Sequence, residues 1–276
     1  MANSKKPSNS KDFVIESFYN DPGMSTLLYW GSKSHKSYNF AQETVLMKYK
    51  GKDEVVYVPD DVEVISSYAF NGNMNVKKVV IPDSARIIMP YAFRYCFNLE
   101  EVVIEGYGLG SIGSLAFAEC CNLKTINFPQ SLRCIEDCAF NLCVSLEEIE
   151  LPDGLTRLGE AAFLGCQGLR QVHFPRSLTA ISPLSFSQAI TFDIPDWVTT
   201  IEAGAFDWNW DSYVFLPKSI KRIGQCEFDS ADMKTIYYEG SEEEWKAIEI
   251  DNTDDWMKNI TVKFNRKRGE YDEYDD

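Results

Sequence analysis

A few groups of residues in this chain have types or spacings that chemistry could use. Gly108-Leu-Gly-Ser-Ile-Gly113 carries the glycine pattern of a dinucleotide loop, in which a strand runs through the glycines into a helix whose N-terminus meets pyrophosphate. Leu109 and Ile112, however, sit where the chain places an apolar residue again and again. The glycine match is therefore coincidental, and no cofactor is expected. Histidine occurs only at His35 and His173, too isolated for an HExxH-type metal site, and no serine stands in a GxSxG elbow. Glu148, Glu150 and Asp193 invite comparison with the carboxylate couple of a hydrolase, but such a couple must stand about 5 to 9.5 Å apart in a concave pocket. Carboxylates in open rows do not, so the chain is expected not to be an enzyme.

Those residues are positioned by a repeat. Phe70, Phe93, Phe117, Phe140, Phe163, Phe186, Phe206 and Phe228 are separated by 23, 24, 23, 23, 23, 20 and 22 residues, a solenoid period. Five positions before each stands a branched aliphatic: Ile65, Ile88, Ile112, Ile135, Leu158, Ile181, Ile201 and Ile223. Eleven before stands proline, at 59, 82, 129, 152, 175, 195 and 217, with Gly106 the one departure. Ahead of the proline, residues such as Ile149 and Leu151 form a period-2 apolar pair, the mark of a short strand with one buried face. Proline stops that strand because it cannot donate to a ladder. The Ile-x-x-x-Ala-Phe segment then crosses the opposite wall, with Phe inside. No coil buries its apolar set alone, so the coils must stack, their strands forming a parallel sheet on one wall and short or helical turns on the other.

The eight cysteines form no CxxC pair, and Cys96, Cys120, Cys143 and Cys166 recur three residues after the phenylalanine. One repeat position sampled along a stack cannot converge on a single zinc ion. Buried structural thiols are expected, with no metal; Cys134 and Cys138 are the pair close enough in sequence to merit a thiol count. The formal charge of -15 opposes nucleic acid and anionic membranes as partners. No run approaches the roughly 18 apolar residues of a membrane helix, and Met1 to Lys11 is polar, unlike a secretory signal. A cytoplasmic protein is expected on that ground, and a monomer; a chain trimmed ahead of Met1 would be expected at the cell surface or secreted instead.

The unit Leu-x-x-Val-x-Ile-Pro-x-Ser-Leu-x-x-Ile-x-x-x-Ala-Phe-x-x-Cys, seen most fully in LKTINFPQSLRCIEDCAFNLC from Leu123 to Cys143, resembles the BspA-like leucine-rich repeats. The resemblance extends over residues 42 to 265. It implies a right-handed superhelix and a non-catalytic protein of the adhesin kind, built for interaction. Residues 1–12 and the acidic tail 269–276 are expected to be disordered. Residues 13–54 supply an N-terminal cap, with Thr44 to Asp53 read as a hairpin turning at Gly51. Residues 55–240 hold eight repeats, and 241–268 a C-terminal cap of helix and strand, in which Ser241 and Glu244 make a capping box and Trp245 and Ile248 cover the last coil.

Binding then falls to the outer face of the strands. One column runs Tyr57, Val80, Val103, Asn127, Glu150, His173, Asp193, Phe215, Tyr237, and its neighbour Val55, Lys78, Glu101, Thr125, Glu148, Gln171, Thr191, Tyr213, Thr235. The candidate contacts for a protein or glycan partner are Glu148, Glu150, Gln171 and His173 in the polar middle and Tyr213, Phe215 and Tyr237 at the aromatic end, the last three being types that favour interface hot spots. Trp208 and Trp210, in Asp207-Trp-Asn-Trp210, either join that aromatic site or fill the space left by the short 20-residue repeat. The alternative to a binding wall is an architectural, self-associating spacer.

Overall fold

The repeat produces a three-walled solenoid. A computed structural model describes residues 10–17, 26–28, 37–39, 43–187, 194–205, 213–225, 234–251 and 260–267. The first wall holds the strands that precede each proline. Val55–Tyr57, Lys78–Ile81, Glu101–Ile104 and Thr125–Ile126 form one parallel sheet, Glu148–Glu150 and Gln171–His173 a second, and Tyr213–Leu216, Thr235–Tyr238 and Thr261–Lys263 a third. At the corner the proline carbonyl accepts from the residue three positions on, as in Leu132 N–H to Pro129 O at 3.0 Å and Leu155 N–H to Pro152 O at 2.9 Å. The serine of Pro-x-Ser-Leu seals that corner to the preceding coil: Ser84 Oγ donates to Val62 O and Ser131 Oγ to Leu109 O, each at 2.7 Å. Gly106 replaces proline because its φ of +64° lies outside what the pyrrolidine ring permits.

The second wall is also a sheet, a feature the repeat pattern did not announce. Two-residue strands carrying the branched aliphatic, Val64–Ile65, Ile87–Ile88, Ser111–Ile112, Cys134–Ile135 and Arg157–Leu158, pair in parallel register. Ala180–Ile181, Thr200–Ile201, Arg222–Ile223 and Glu249–Ile250 continue as a separate ladder. Leu158 O, at the break between the two, accepts from the Ser182 hydroxyl at 2.6 Å.

The third wall carries the phenylalanines and among the described residues is neither strand nor helix. There the residues two before and two after the phenylalanines lie in the left-handed region, among them Tyr68, Tyr91, Leu115, Cys138, Ala161 and Leu184 on one side and Tyr95, Glu119 and Leu142 on the other. Such a conformation costs a non-glycine residue about 1 to 3 kcal/mol. Its return is that alternate N–H groups all point at the next coil: Tyr91 donates to Ser114 O at 3.1 Å, Phe93 to Ala116 O at 2.7 Å, and Tyr95 to Ala118 O at 3.1 Å. Backbone polar groups that would otherwise be orphaned beside the core are thereby paired.

Inside, the phenylalanine rings form a column of successive layers. Phe70, Phe93, Phe117, Phe140, Phe163 and Phe186 are fully buried and stack at centroid distances of 4.6, 4.9, 5.2, 5.2 and 5.6 Å, with ring planes within 14° of parallel. Those distances follow the strand spacing of about 4.7 to 4.9 Å. Phe206 and Phe228 lie outside the described residues. Cys96, Cys120, Cys143 and Cys166 are buried free thiols whose Sγ atoms each donate at 3.2 Å to a carbonyl of the preceding coil, those of Phe70, Phe93, Phe117 and Phe140. The expected thiol column is therefore present. Cys134 Sγ donates to Glu136 Oε1 at 3.3 Å, and Cys138 is a partly buried thiol.

The N-terminal cap departs from expectation. Thr44–Tyr49 does not turn back on itself at Gly51 as a hairpin. It pairs antiparallel with Phe13–Ser17 on one side and parallel with Val64–Ile65 on the other. The chain then rounds a corner at Gly51, where a Cβ would run into the Tyr49 hydroxyl, and Val55–Tyr57 opens a different wall. Tyr49 continues the ring column, 5.0 Å from Phe70, and Phe13 lies 5.1 Å beyond it. Phe18, Tyr29 and Trp30 lie outside the described residues, as do 1–9 and the tail 268–276. At the other end the helix Glu242–Lys246 has the capping box: Glu244 N–H donates to Ser241 Oγ and Ser241 N–H to Glu244 Oε2. Trp245 and Ile248 are buried against the last coils.

Candidate functional site

The middle of the first wall is accessible. Glu148–Glu150 and Gln171–His173 pair in register, Glu148 with Gln171 and Glu150 with His173, and all four side chains are exposed. They alternate with buried Ile149 and partly buried Val172, so the pleat fixes which residues face solvent. His173 Nε2 and Glu148 Oε1 lie 3.1 Å apart, a diagonal contact across the strand pair with both side chains well over half exposed. Thr125 and Asn127, one coil earlier, are exposed too. Asn127 is spent on structure: its side-chain amide both donates to Ile104 O and accepts from Ile104 N–H, each at 2.8 Å. The open face is thus a small, flat, acidic patch with one imidazole. Each carboxylate stands on a strand in solvent rather than across a cleft.

Repetition of the coil decides the relationship. The sequence profile of the BspA type leucine rich repeat region matches six times, over residues 48–152 and 134–248. The chain belongs to the BspA-type leucine-rich repeat family. No curated protein matches it. Among solved structures it is similar to a leucine-rich repeat protein of T. pallidum, with 21% identity over 84% of this chain and 86% of that one and a TM-score of 0.56. It is also similar to a leucine-rich repeat protein of Bacteroides ovatus, with 22% identity over 87% of this chain and 67% of that one and a TM-score of 0.58. Both establish the repeat fold.

The aromatic end of this BspA-type wall is not the open row that the alternation predicts. Tyr237 is fully buried and Phe215 is 8% exposed, while Tyr213 is half-buried. Tyr237 sits on the middle strand of three. The Tyr213 ring meets it edge-on at 5.7 Å from one side, and Lys263 Nζ lies 5.3 Å over it from the other. Large side chains in register on neighbouring strands cover one another, so outward direction does not give access. Val80 and Thr235 of the same two columns are buried as well. Trp208, Trp210, Thr191 and Asp193 lie outside the described residues. In Gly108 to Gly113, Leu109 and Ile112 are buried and Ser111–Ile112 is a strand, so no helix N-terminus is presented there to a phosphate.

Two surface features escaped the sequence reading. On the third wall, Tyr68 and Tyr91 stack in parallel at 4.9 Å, and the Arg94 guanidinium lies 4.3 Å over Tyr95 and pairs with Glu119 at 3.2 Å. The signal was present as Tyr-Ala-Phe at 68–70 and 91–93, but a strand-wall search does not look there. The second feature is a pocket between the cap and the first coil, lined by Lys48, Lys50, Lys52 and the stretch Asn71 to Asn75. Among the described residues no group of three or more His, Cys, Asp or Glu is placed to hold a metal ion, and no helix is long and apolar enough to cross a membrane.

Proposed function

We propose that this protein is a non-catalytic binding module that recognises a partner protein through Glu148, Glu150, Gln171 and His173. One observation carries the reading: these four side chains remain exposed together on a paired, rigid strand ladder, while the aromatic end of the same wall is covered. A preformed surface on rigid elements loses little entropy on binding. Its acidity favours a basic partner surface and fast, salt-sensitive association. A catalytic reading gains nothing from the same geometry, since Glu148 and Glu150 stand exposed on one strand.

Affinity capture from extracts of the source organism tests it, with wild-type chain and the Glu148→Lys/Glu150→Lys/His173→Ala variant immobilised in parallel. Proteins retained by the wild type and lost by the variant, with retention weakening as salt rises, are expected. Identical retained sets at every salt concentration would remove this wall as the binding surface. The three positions are exposed, so the variant should unfold within about 0.5 kcal/mol of the wild type.

A further inference from the structure

Proline closes the corner between the first and second walls in every coil but one. The exception carries an extra residue: Phe93 and Phe117 are 24 apart where the coils on either side take 23, and Glu105-Gly-Tyr-Gly108 stands in place of the proline corner. Both neighbouring coils spend a side chain on holding it. From the coil before, Asp83 Oδ1 accepts from Tyr107 N–H at 2.6 Å, and Gly106 and Gly108 pass so close to Asp83 that a Cβ on either would run into its carboxylate or its carbonyl. From the coil after, the Asn127 amide serves both Ile104 N–H and Ile104 O at the end of the strand. The backbone of this corner is therefore fixed from two sides.

The side chain at its tip takes no part in that. Tyr107 is the most exposed large apolar residue among the described residues, and among them its ring stacks on no other ring and its hydroxyl makes no hydrogen bond. Repairing an inserted residue calls for the glycines and for Asp83, but not for an aromatic ring in water; the same corner in other coils carries Asp83, Gln130 and Asp153. A tyrosine on a fixed backbone has only two side-chain torsions left to freeze when a partner closes on it, and tyrosine is among the residue types on which interface energy concentrates.

Its position ties it to the strand wall. Tyr107 follows the end of the strand Glu101–Ile104, two coils ahead of Glu148–Glu150, about 9 to 10 Å along the stack. Thr125, Asn127 and Gln130 of the coil between are exposed, so the surface from Tyr107 to Glu150 is open. Arg133, the cation beside it, is turned onto the backbone, with Nη1 donating to Gln130 O at 2.8 Å. An interface of standard size covers about 800 Å² on each partner, roughly 28 Å across, and spans both features.

We infer that Tyr107 anchors the same interface: the partner protein that rests on Glu148, Glu150, Gln171 and His173 reaches across the coil of Asn127 and closes an apolar pocket on the Tyr107 ring. The inference rests on the strand-wall reading and adds to it the chemistry of the partner, a basic surface with an apolar pocket at its edge.

The protein retained by the immobilised chain is to be identified by mass spectrometry, purified and titrated calorimetrically against the full wild-type chain and its variants. Tyr107→Ala should weaken binding roughly tenfold or more, as loss of an aromatic anchor does, and Tyr107→Phe, which keeps the ring, should weaken it much less. Tyr68→Ala, which removes an exposed ring from the third wall, should bind as the wild type does. With benzoylphenylalanine in place of Tyr107, irradiation of the complex should join the two proteins. Unchanged affinity in Tyr107→Ala, with binding still lost in Glu148→Lys/Glu150→Lys/His173→Ala, would overturn the anchor and leave the wall reading standing. Binding lost in Tyr107→Ala but kept in the wall variant would overturn the shared interface and the wall reading together. Equal losses in Tyr107→Ala and Tyr68→Ala would also overturn the anchor, and retention of no protein at all would overturn both readings.

Discussion

Removing one ring from the middle of the phenylalanine column should break the solenoid locally. Phe117 is fully buried and sandwiched, with Phe93 at 4.9 Å and Phe140 at 5.2 Å and both planes within 5° of its own. Phe117→Ala removes a packed ring on two sides, and rings fixed by hydrogen-bonded coils cannot close the gap. A cost near the full range for buried phenylalanine truncation, about 3 to 5 kcal/mol, follows. With a urea m-value of about 3 kcal/mol/M for a chain of this size, the midpoint falls by about 1 to 1.7 M. Tyr107→Ala is the control: Tyr107 is 75% exposed, and its loss should cost no more than about 0.5 kcal/mol. Because each coil touches only its neighbours, the damage should also be confined. Amide exchange should accelerate in the coils of Phe93, Phe117 and Phe140, while the strand Arg222–Ile223 keeps its protection. A midpoint shift below about 0.3 M, or protection lost evenly along the chain, would refute the stacked-column account.

Three further outcomes follow. Burial pushes the Cys120 and Cys143 thiols well up and that of Cys166 up to about 12, so a thiol reagent at pH 8 should leave Cys120, Cys143 and Cys166 unmodified until the chain unfolds, as mass spectrometry of the labelled protein would show. Burial likewise raises Tyr49 from its ordinary 10 to about 12, with the nearby carboxylates of Asp53 and Asp12 adding to the rise. The folded chain then holds a proton that the unfolded chain releases, so this contribution to stability is complete below pH 10 and disappears as the pH climbs toward 12; Tyr49→Phe should flatten that part of a stability-pH curve measured by urea unfolding. Ser241→Ala removes the oxygen that accepts from Glu244 N–H and should cost about 0.5 to 2 kcal/mol in chemical denaturation, with no loss if the capping box is incidental.

How much the sequence disclosed depended on whether a position recurs. The phenylalanine and thiol columns, the proline corners and the C-terminal capping box were all legible, because each is a residue type at a fixed offset with a single physical reason. The second sheet was hidden because a two-residue strand is too short to show alternation. The left-handed residues of the third wall were hidden because Tyr, Leu, Glu and Cys occupy positions where conformational preference would put glycine; the coil-to-coil hydrogen bonds override that preference. The capping strand was misread because Gly51 marks a corner between walls rather than a reversal of direction. Exposure was the weakest inference. Alternation puts Glu148 and Tyr237 on the same face, but access depends on neighbour size, and Glu148 is open while Tyr237 is closed.

The aligned donors of the third wall give the molecule a direction. On that wall, among the described residues, each coil hands hydrogens to the next and receives them from the one before, so the leading, N-terminal rim of the wall is a row of oxygens and a trailing rim would be a row of N–H groups. Tyr49 N–H donating to Ala69 O at 2.9 Å shows how the leading rim is closed: whatever covers it must bring hydrogens. Whatever finishes the trailing rim must bring acceptors, so the two lids are not interchangeable. Any lengthening of the array, by duplication of a coil or by joining of two copies, preserves that ladder only nose to tail.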